Sequence, residues 1–298
     1  MASMLEQVSN DFAAAVERIG PAVVRVEGRR RFPATGVAWS SEGVIVTAHH
    51  VVKRDEGISV GLADGRTANA ALVGRDPSTD LAVLRAEAGD LAPASWAGDA
   101  ALKVGQLALA VGRPGEALQA SLGVITALEG VWRSPAGGSI ERYVQADVTM
   151  YPGFSGGPLL GAAGDMIGLN TSALLRGVSL TIPAQTVRRV VEALLAHGRV
   201  RRGYLGIGSQ PVRLPDALAS ELGQETGLLL VSVEPDSPAG RAGLLLGDTI
   251  VALAGERVRH LDDLQAILSG DRVGQTVTVR IVRGGQAQER EVTIGERA

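Results

Sequence analysis

The chain has no cysteine at all and only three each of Phe, Tyr and Trp in 298 residues. Without thiols, disulfides and cysteine-ligated metals are excluded. Histidine is scarce too: there are four, and only His49 and His50 are close in sequence, so no metal site and no cofactor is expected. The net charge is -3 and neither sign gathers in long blocks, which gives no footprint for nucleic acid. No apolar run approaches the ~20 residues that cross a bilayer, so no membrane span is expected. No basic stretch followed by an apolar core opens the sequence, so these residues carry no secretory signal, and the compartment is not legible in them. What is abundant is glycine, at 39 residues, together with 13 prolines and 45% hydrophobic residues. That balance belongs to a globular protein of about two domains.

The pattern changes several times along the chain. Leu5, Val8, Phe12, Val16 and Ile19 recur at helical spacing and stop at Gly20-Pro21. A helix this short is unstable alone, and Phe12 reads as an apolar anchor without an evident partner. From Ala22 to Pro183, short apolar runs such as "AVVRVEG", "GVIVTA", "DLAVLR", "QLALAVG" and "GVITALEG" alternate with Gly, Pro and Asp turns. Many short strands without intervening helices predict β-barrels or a sandwich. Val187, Val190, Val191 and Leu194 then mark a helix ending at Gly198, and "RVRR" at Arg199 to Arg202 reads as a linker. Beyond it lies a second unit with the strand "GLLLVSV", a helix in "LDDLQAILSG" and a hairpin whose turn is Gly284-Gly285.

Three polar features stand out in the β-rich part. "PGFSGGPLL" holds Ser155 among glycines, which suits either a tight surface turn or a nucleophile ringed by inward-pointing N–H groups. "VIVTAHHVV" places two imidazoles at the end of an apolar strand, and either could face a cleft or serve the core. "RDPSTDLAVL" sets Asp80 at the mouth of the next strand, where a carboxylate commonly closes a turn. Taken together, the order His, Asp, Ser in an all-β region is that of the chymotrypsin-like proteases.

The segments "GVAWSSEGVIVTAHHVV", "DPSTDLAVLR" and "QADVTMYPGFSGGPLL" resemble the three active-site segments of the HtrA (Deg) family of serine proteases, and the last part resembles a PDZ domain. The resemblance implies a mainly β fold: a chymotrypsin-like double β-barrel protease followed by an α+β PDZ domain. Residues 1–20 would be an N-terminal helix for oligomerisation, 21–200 the protease domain and 203–298 the PDZ domain. In the family the histidine precedes a Val pair, which matches His50. The aspartate precedes Leu-Ala, which matches Asp80 and not Asp76, and Ser155 matches the nucleophile. The oxyanion donors would be the N–H groups of Gly153 and Ser155. The substrate pocket would be bounded by Thr149, Met150 and the strand Asn170, Thr171 and Ser172, none of them acidic, favouring small or medium apolar side chains. The chain departs from the family at two positions, with Phe154 and Tyr151 where the family usually has Asn, so an inactive resting loop is one expectation.

"RGYLGI" matches the family's carboxylate-binding loop, with Tyr204, Leu205, Gly206 and Ile207 receiving a peptide C-terminus and the helix at Leu261 to Leu268 walling the groove. The resemblance also implies unfolded proteins and peptide C-termini as partners, a homotrimer or higher multiple, and an extracytoplasmic setting such as the periplasm or cell envelope. The alternative is a chaperone-like peptide-binding protein with weak or latent proteolysis.

Overall fold

The computed structural model describes residues 3–96, 102–268 and 272–296. Ser269 and Gly270, the end of the "LDDLQAILSG" motif, lie outside the described residues. The chain divides into two compact units, Met1–Val200 and Arg201–Ala298.

The first unit opens with helix α1 (Met4–Ile19). Its start is set by a capping box, in which Ser3 Oγ accepts from Glu6 N–H and the Glu6 carboxylate accepts from Ser3 N–H. Ala15 and Ile19 are buried, with Phe12 and Val16 packed against the same core. Phe12 therefore has a partner within the chain, which corrects the expectation of an unpartnered anchor. The large apolar side chains left exposed on this helix are Met4 and Leu5, at 84% and 79%, and to a lesser degree Val8, at 37%.

Six strands follow: β1 (Val23–Glu27), β2 (Ala34–Ala38), β3 (Val44–Ala48), β4 (Ile58–Gly61), β5 (Thr67–Asp76) and β6 (Leu81–Ala86). They close into a barrel in the order β1-β2-β3-β6-β5-β4. Strands β7 (Leu107–Gly112) and β8 (Gln119–Glu129) begin a second barrel. A two-stranded ribbon comes next, β9 (Trp132–Arg133) with β10 (Ser139–Ile140). Strands β11 (Tyr143–Ala146), β12 (Pro158–Gly161), β13 (Met166–Thr171) and β14 (Leu180–Pro183) then close the barrel as β11-β14-β13-β12-β7-β8. Helix α2 (Ala184–His197) packs Val187, Val190, Val191 and Leu194 onto the first barrel's core and ends at Gly198 in the left-handed conformation, as its sequence position predicts.

Strands β2, β3, β7 and β13 are almost continuously buried because each faces two buried layers, whereas β5 and β8 keep one face largely exposed. On β7, Ala108 and Ala110 point into the second barrel, while Leu109 and Val111 join the core shared with the first. The period of two places successive side chains on opposite faces, and both are dry here.

The second unit begins with β15 (Gly203–Tyr204), which pairs with the last strand, β22 (Gly295–Glu296). Between them lie β16 (Ile207–Arg213), α3 (Asp216–Leu222), β17 (Thr226–Val233), α4 (Pro238–Arg241), β18 (Thr249–Leu253), β19 (Glu256–Arg257), α5 (Leu261–Leu268), β20 (Thr276–Arg283) and β21 (Gln286–Thr293). The main sheet runs β16-β17-β18-β20-β21, so β16 is an outer strand. Asp248, 1% exposed, accepts two hydrogen bonds from Arg283 at 2.7 Å and one from Leu245 N–H at 2.8 Å. Burial alone would raise the Asp248 carboxyl, but those donors hold it below its ordinary value. The fold class is the mainly β arrangement expected from the sequence, two barrels and then an α+β unit.

Candidate active site

Strand β3 pairs antiparallel with β6, and the register sets Ala48 opposite Leu81. The chain leaving β3 and the residue entering β6 therefore meet at one end of the barrel. Asp80 takes φ +58°, a left-handed conformation that Asp and Asn tolerate better than other residues. In that geometry its carbonyl accepts from His49 N–H at 2.9 Å and its Oδ1 accepts from His50 N–H at 2.8 Å. Oδ2 lies 2.7 Å from His50 Nδ1. A carboxylate offers no proton, so Nδ1 carries the hydrogen and the neutral imidazole keeps its acceptor lone pair on Nε2. Thr171 Oγ1 also donates to Oδ2, at 2.5 Å, and accepts from Ala173 N–H at 3.1 Å. Asp80 is 2% exposed, so three donors take the place of its solvent.

Its neighbours play other parts. Asp76 accepts from the hydroxyls of Ser78 and Thr79 and closes the turn that delivers Asp80. The His49 side chain does not reach the carboxylate; its Nδ1 is buried without a hydrogen-bond partner among the described residues. Burial holds the His49 pKa below 6.5, with Arg75, Lys53 and His50 acting in the same direction and Asp80 opposing them.

Ser155 is reached through a loop from the second barrel. Gly153 and Gly156 have φ of +94° and +86°. A Cβ on Gly153 would stand 2.6 Å from Pro114 Cβ, and one on Gly156 would stand 2.1 Å from Thr35 O, so both positions require glycine for space as well as conformation. Phe154 N–H donates to Tyr151 O at 3.0 Å and Gly157 N–H to Phe154 O at 2.9 Å, which makes two successive turns around the serine. Among the described residues, no protein acceptor takes up the N–H of Gly153 or of Ser155. Ser155 Oγ lies 3.2 Å from Ser172 Oγ, and no hydrogen bond joins it to His50.

The two departures from the family pattern have a structural account. The Phe154 side chain is fully buried in the second barrel with Val148, Leu159 and Ile167, and it packs edge-on to Tyr151 with ring centroids 5.4 Å apart. Gly112 is what admits it, since a Cβ there would come within 2.6 Å of the ring. The loop is thus seated by an apolar plug.

The residues expected to bound a substrate pocket are placed unequally. Thr149 and Ser172 are exposed, and Met150 is half-buried against the second barrel's interior. Asn170 is 1% exposed, donates to Pro158 O at 2.8 Å and accepts from Thr181. Thr171 is committed to Asp80. The side chains of Asn170 and Thr171 therefore face the interior, and Thr171 is a carboxylate-holding residue that its sequence context did not single out.

In the second unit, Gly206 has φ +75°, and a Cβ there would stand 2.2 Å from Ser237 Cβ. Leu205 O accepts from Ala239 N–H at 2.9 Å and Gly206 O from Glu234 N–H at 2.8 Å. With the carbonyls turned inward, no protein acceptor among the described residues takes the N–H of Leu205 or Gly206. Tyr204 Oη donates to the Glu234 carboxylate. Ile207 opens the outer strand β16, and Leu264 and Ile267 of α5 share a buried cluster with Leu205.

Two closed six-stranded barrels, with a His-Asp pair on one and a glycine-looped serine entering the other, define a trypsin-like serine peptidase fold. Comparison with known proteins agrees for both units: the family model for a trypsin-like peptidase domain matches residues 34–169, and that for a PDZ domain matches residues 203–294. A putative serine protease HhoB of Synechocystis is 32% identical over 97% of this chain and 80% of its own length. A probable periplasmic serine endoprotease DegP-like of Chlamydia trachomatis is 36% identical over 91% of this chain and 55% of its own, so the chain spans little more than half of that relative. Among solved structures, the HtrA-type protease AlgW with a decapeptide superposes with a TM-score of 0.80 at 30% identity, covering 96% of this chain and 99% of that one. The serine endoprotease from Yersinia pestis gives a TM-score of 0.80 at 31% identity, over 96% of this chain and 98% of that one. The chain belongs to the HtrA family of serine proteases, a family of serine endopeptidases carrying a PDZ domain.

Proposed function

We propose that the protein is an ATP-independent serine endopeptidase that degrades unfolded or misfolded proteins. The observation that carries this reading is the double attachment of His50 to Asp80, through the backbone N–H and through Nδ1, which leaves Nε2 as the free base. Ser155 Oγ exchanges its contact with Ser172 for one with Nε2 by a side-chain rotation and attacks the substrate carbonyl. His50 takes the proton and returns it to the leaving amine, while Asp80 holds the tautomer and stabilises the imidazolium. The N–H groups of Gly153 and Ser155 receive the developing oxyanion, and losing one such donor costs ~3 kcal/mol of transition-state stabilisation.

With no acidic residue among Thr149, Met150 and Ser172, the first subsite accepts small or medium apolar side chains. The Leu205 to Ile207 loop binds a peptide C-terminus through backbone N–H groups, the peptide adding as a strand beside β16. The bare apolar side chains of α1 form the contact of a homotrimer. The naming of relatives as periplasmic supports an extracytoplasmic setting. The test is digestion of a reduced, unfolded protein with the cleavage sites mapped by mass spectrometry. The expected result is cleavage after Ala, Val or similar residues, and cleavage confined to Lys and Arg, or none, would overturn the reading.

A further inference from the structure

Every polar group of Thr35, in β2 of the first barrel, is occupied on the far side of the Ser155 loop. Its N–H donates to Ser155 O at 3.3 Å and its carbonyl accepts from Thr47 Oγ1 at 2.6 Å. Its Oγ1 lies 2.7 Å from Gly153 O and 2.9 Å from Arg113 N. The direction of the last two bonds is fixed, because a backbone N–H can only donate and a carbonyl can only accept. The Thr35 hydroxyl therefore accepts from Arg113 and sends its one proton to Gly153 O. Thr35 is fully buried, so water cannot stand in for any of these contacts.

The contacts bear on one short stretch of backbone. The Gly153-Phe154 peptide is held at its oxygen by Thr35 and at its N–H by Tyr151 O. The Ser155 carbonyl is held by the same threonine. With both flanking carbonyls pinned, the N–H groups of Gly153 and Ser155 are the ones left for the cleft. Glycine at 153 would otherwise turn freely. Arg113 steadies the other end: its guanidinium, in a residue 7% exposed, is spent on the carbonyls of Gly20, Val23 and Glu116, joining the end of α1 to the turn whose N–H polarises Thr35.

We propose that Thr35 is the positioning residue that sets the oxyanion loop of Ser155 in its working orientation, taking its polarity from the Arg113 N–H. This rests on the proteolytic reading above for its kinetic consequence, but not for the clamp itself. The discriminating substitutions are Thr35→Val, which keeps the shape and removes the hydroxyl, and Thr35→Ser, which keeps the hydroxyl. In the full chain, with a peptide reporter, Thr35→Val lowers kcat on the order of 10²-fold, the size of losing one oxyanion donor. KM stays within about twofold, because the interaction serves the transition state and not substrate binding. A peptide aldehyde, which forms the oxyanion, loses affinity by the same factor as kcat, and Thr35→Ser restores both to within about threefold. Exchange of the Phe154 amide hydrogen, followed by NMR, speeds up in Thr35→Val and not in Thr35→Ser. A wild-type kcat in Thr35→Val, or a Thr35→Ser as impaired as Thr35→Val, overturns the proposal. If the wild-type protein cleaves nothing, the proteolytic reading fails on its own, and an unchanged Phe154 exchange rate in Thr35→Val then overturns the clamp.

Discussion

Asp80→Asn isolates the electronic role of the carboxylate from its structural one. Asn tolerates the left-handed conformation that Asp80 occupies, at φ +58°, so the turn is retained. The amide has two orientations. In one, its oxygen keeps the His50 N–H now held at 2.8 Å, and its NH2 faces His50 Nδ1 and Thr171. In the other, the oxygen faces Nδ1 and the NH2 opposes the His50 N–H, leaving two buried donors head to head at a cost of about 1–3 kcal/mol. The first orientation wins. His50 Nδ1 must then accept a hydrogen bond, the ring proton moves to Nε2, and the base that Ser155 needs is gone. The expected loss is on the order of 10⁴-fold in kcat, about 5.5 kcal/mol of barrier. The assay is single-turnover cleavage of a peptide reporter, with thermal unfolding to verify that the variant folds. A folded Asp80→Asn protein within tenfold of wild type would refute the tautomer argument.

Three further outcomes are expected, one from the burial of His49 and two from the proposed assembly and peptide binding. His49 has its pKa held down chiefly by burial, so the unfolded chain binds more protons as pH falls through 6.5 and the folded state loses stability there. His49→Gln should flatten the dependence of unfolding free energy on pH between about pH 7 and 5, and a slope identical to wild type in urea titrations would contradict it. If wild type assembles as the proposed trimer, Leu5→Glu, which places a charge on the exposed part of α1 while leaving Phe12, Ala15 and Ile19 in the core, should give folded monomer by light scattering; a wild-type monomer at micromolar concentration would sink the assembly. A peptide ending in an apolar residue with a free carboxylate should raise the reporter rate by about 5- to 150-fold, and its C-terminal amide should not, with the effect lost in a chain ending at Arg202; equal responses to both peptides would leave the PDZ loop without a coupling role.

What could be read from the sequence was what is encoded locally. The His and Asp segments adjoin the ends of β3 and β6, and the Ser155 loop, which leads into β12, announces its tight turns through glycine and proline. Helix α1 ends at Gly20-Pro21 and α2 at Gly198, both marked in the sequence. The contacts that organise the site are not local. Thr35 meets Gly153 across 118 positions, and Thr171 meets Asp80 across 91, with no pattern around either threonine to mark it. Phe154 looked like a disruption because its context is a polar loop, whereas the space that receives it is opened by Gly112 and the second barrel's interior. Phe12 found its partner in the barrel core for the same reason. The choice between His49 and His50 rested on resemblance alone, and the register of β3 against β6 supplies the physical basis for His50 meeting Asp80.

The proteolytic chemistry turns on Ser155 acting as a nucleophile activated by His50. The direct measurement is labelling of the full chain with a fluorophosphonate, followed by peptide mapping of the modified residue. A single adduct on Ser155 is expected, abolished in His50→Ala and retained in His49→Ala. Labelling that leaves Ser155 unmodified, or that persists in His50→Ala while disappearing in His49→Ala, would contradict it.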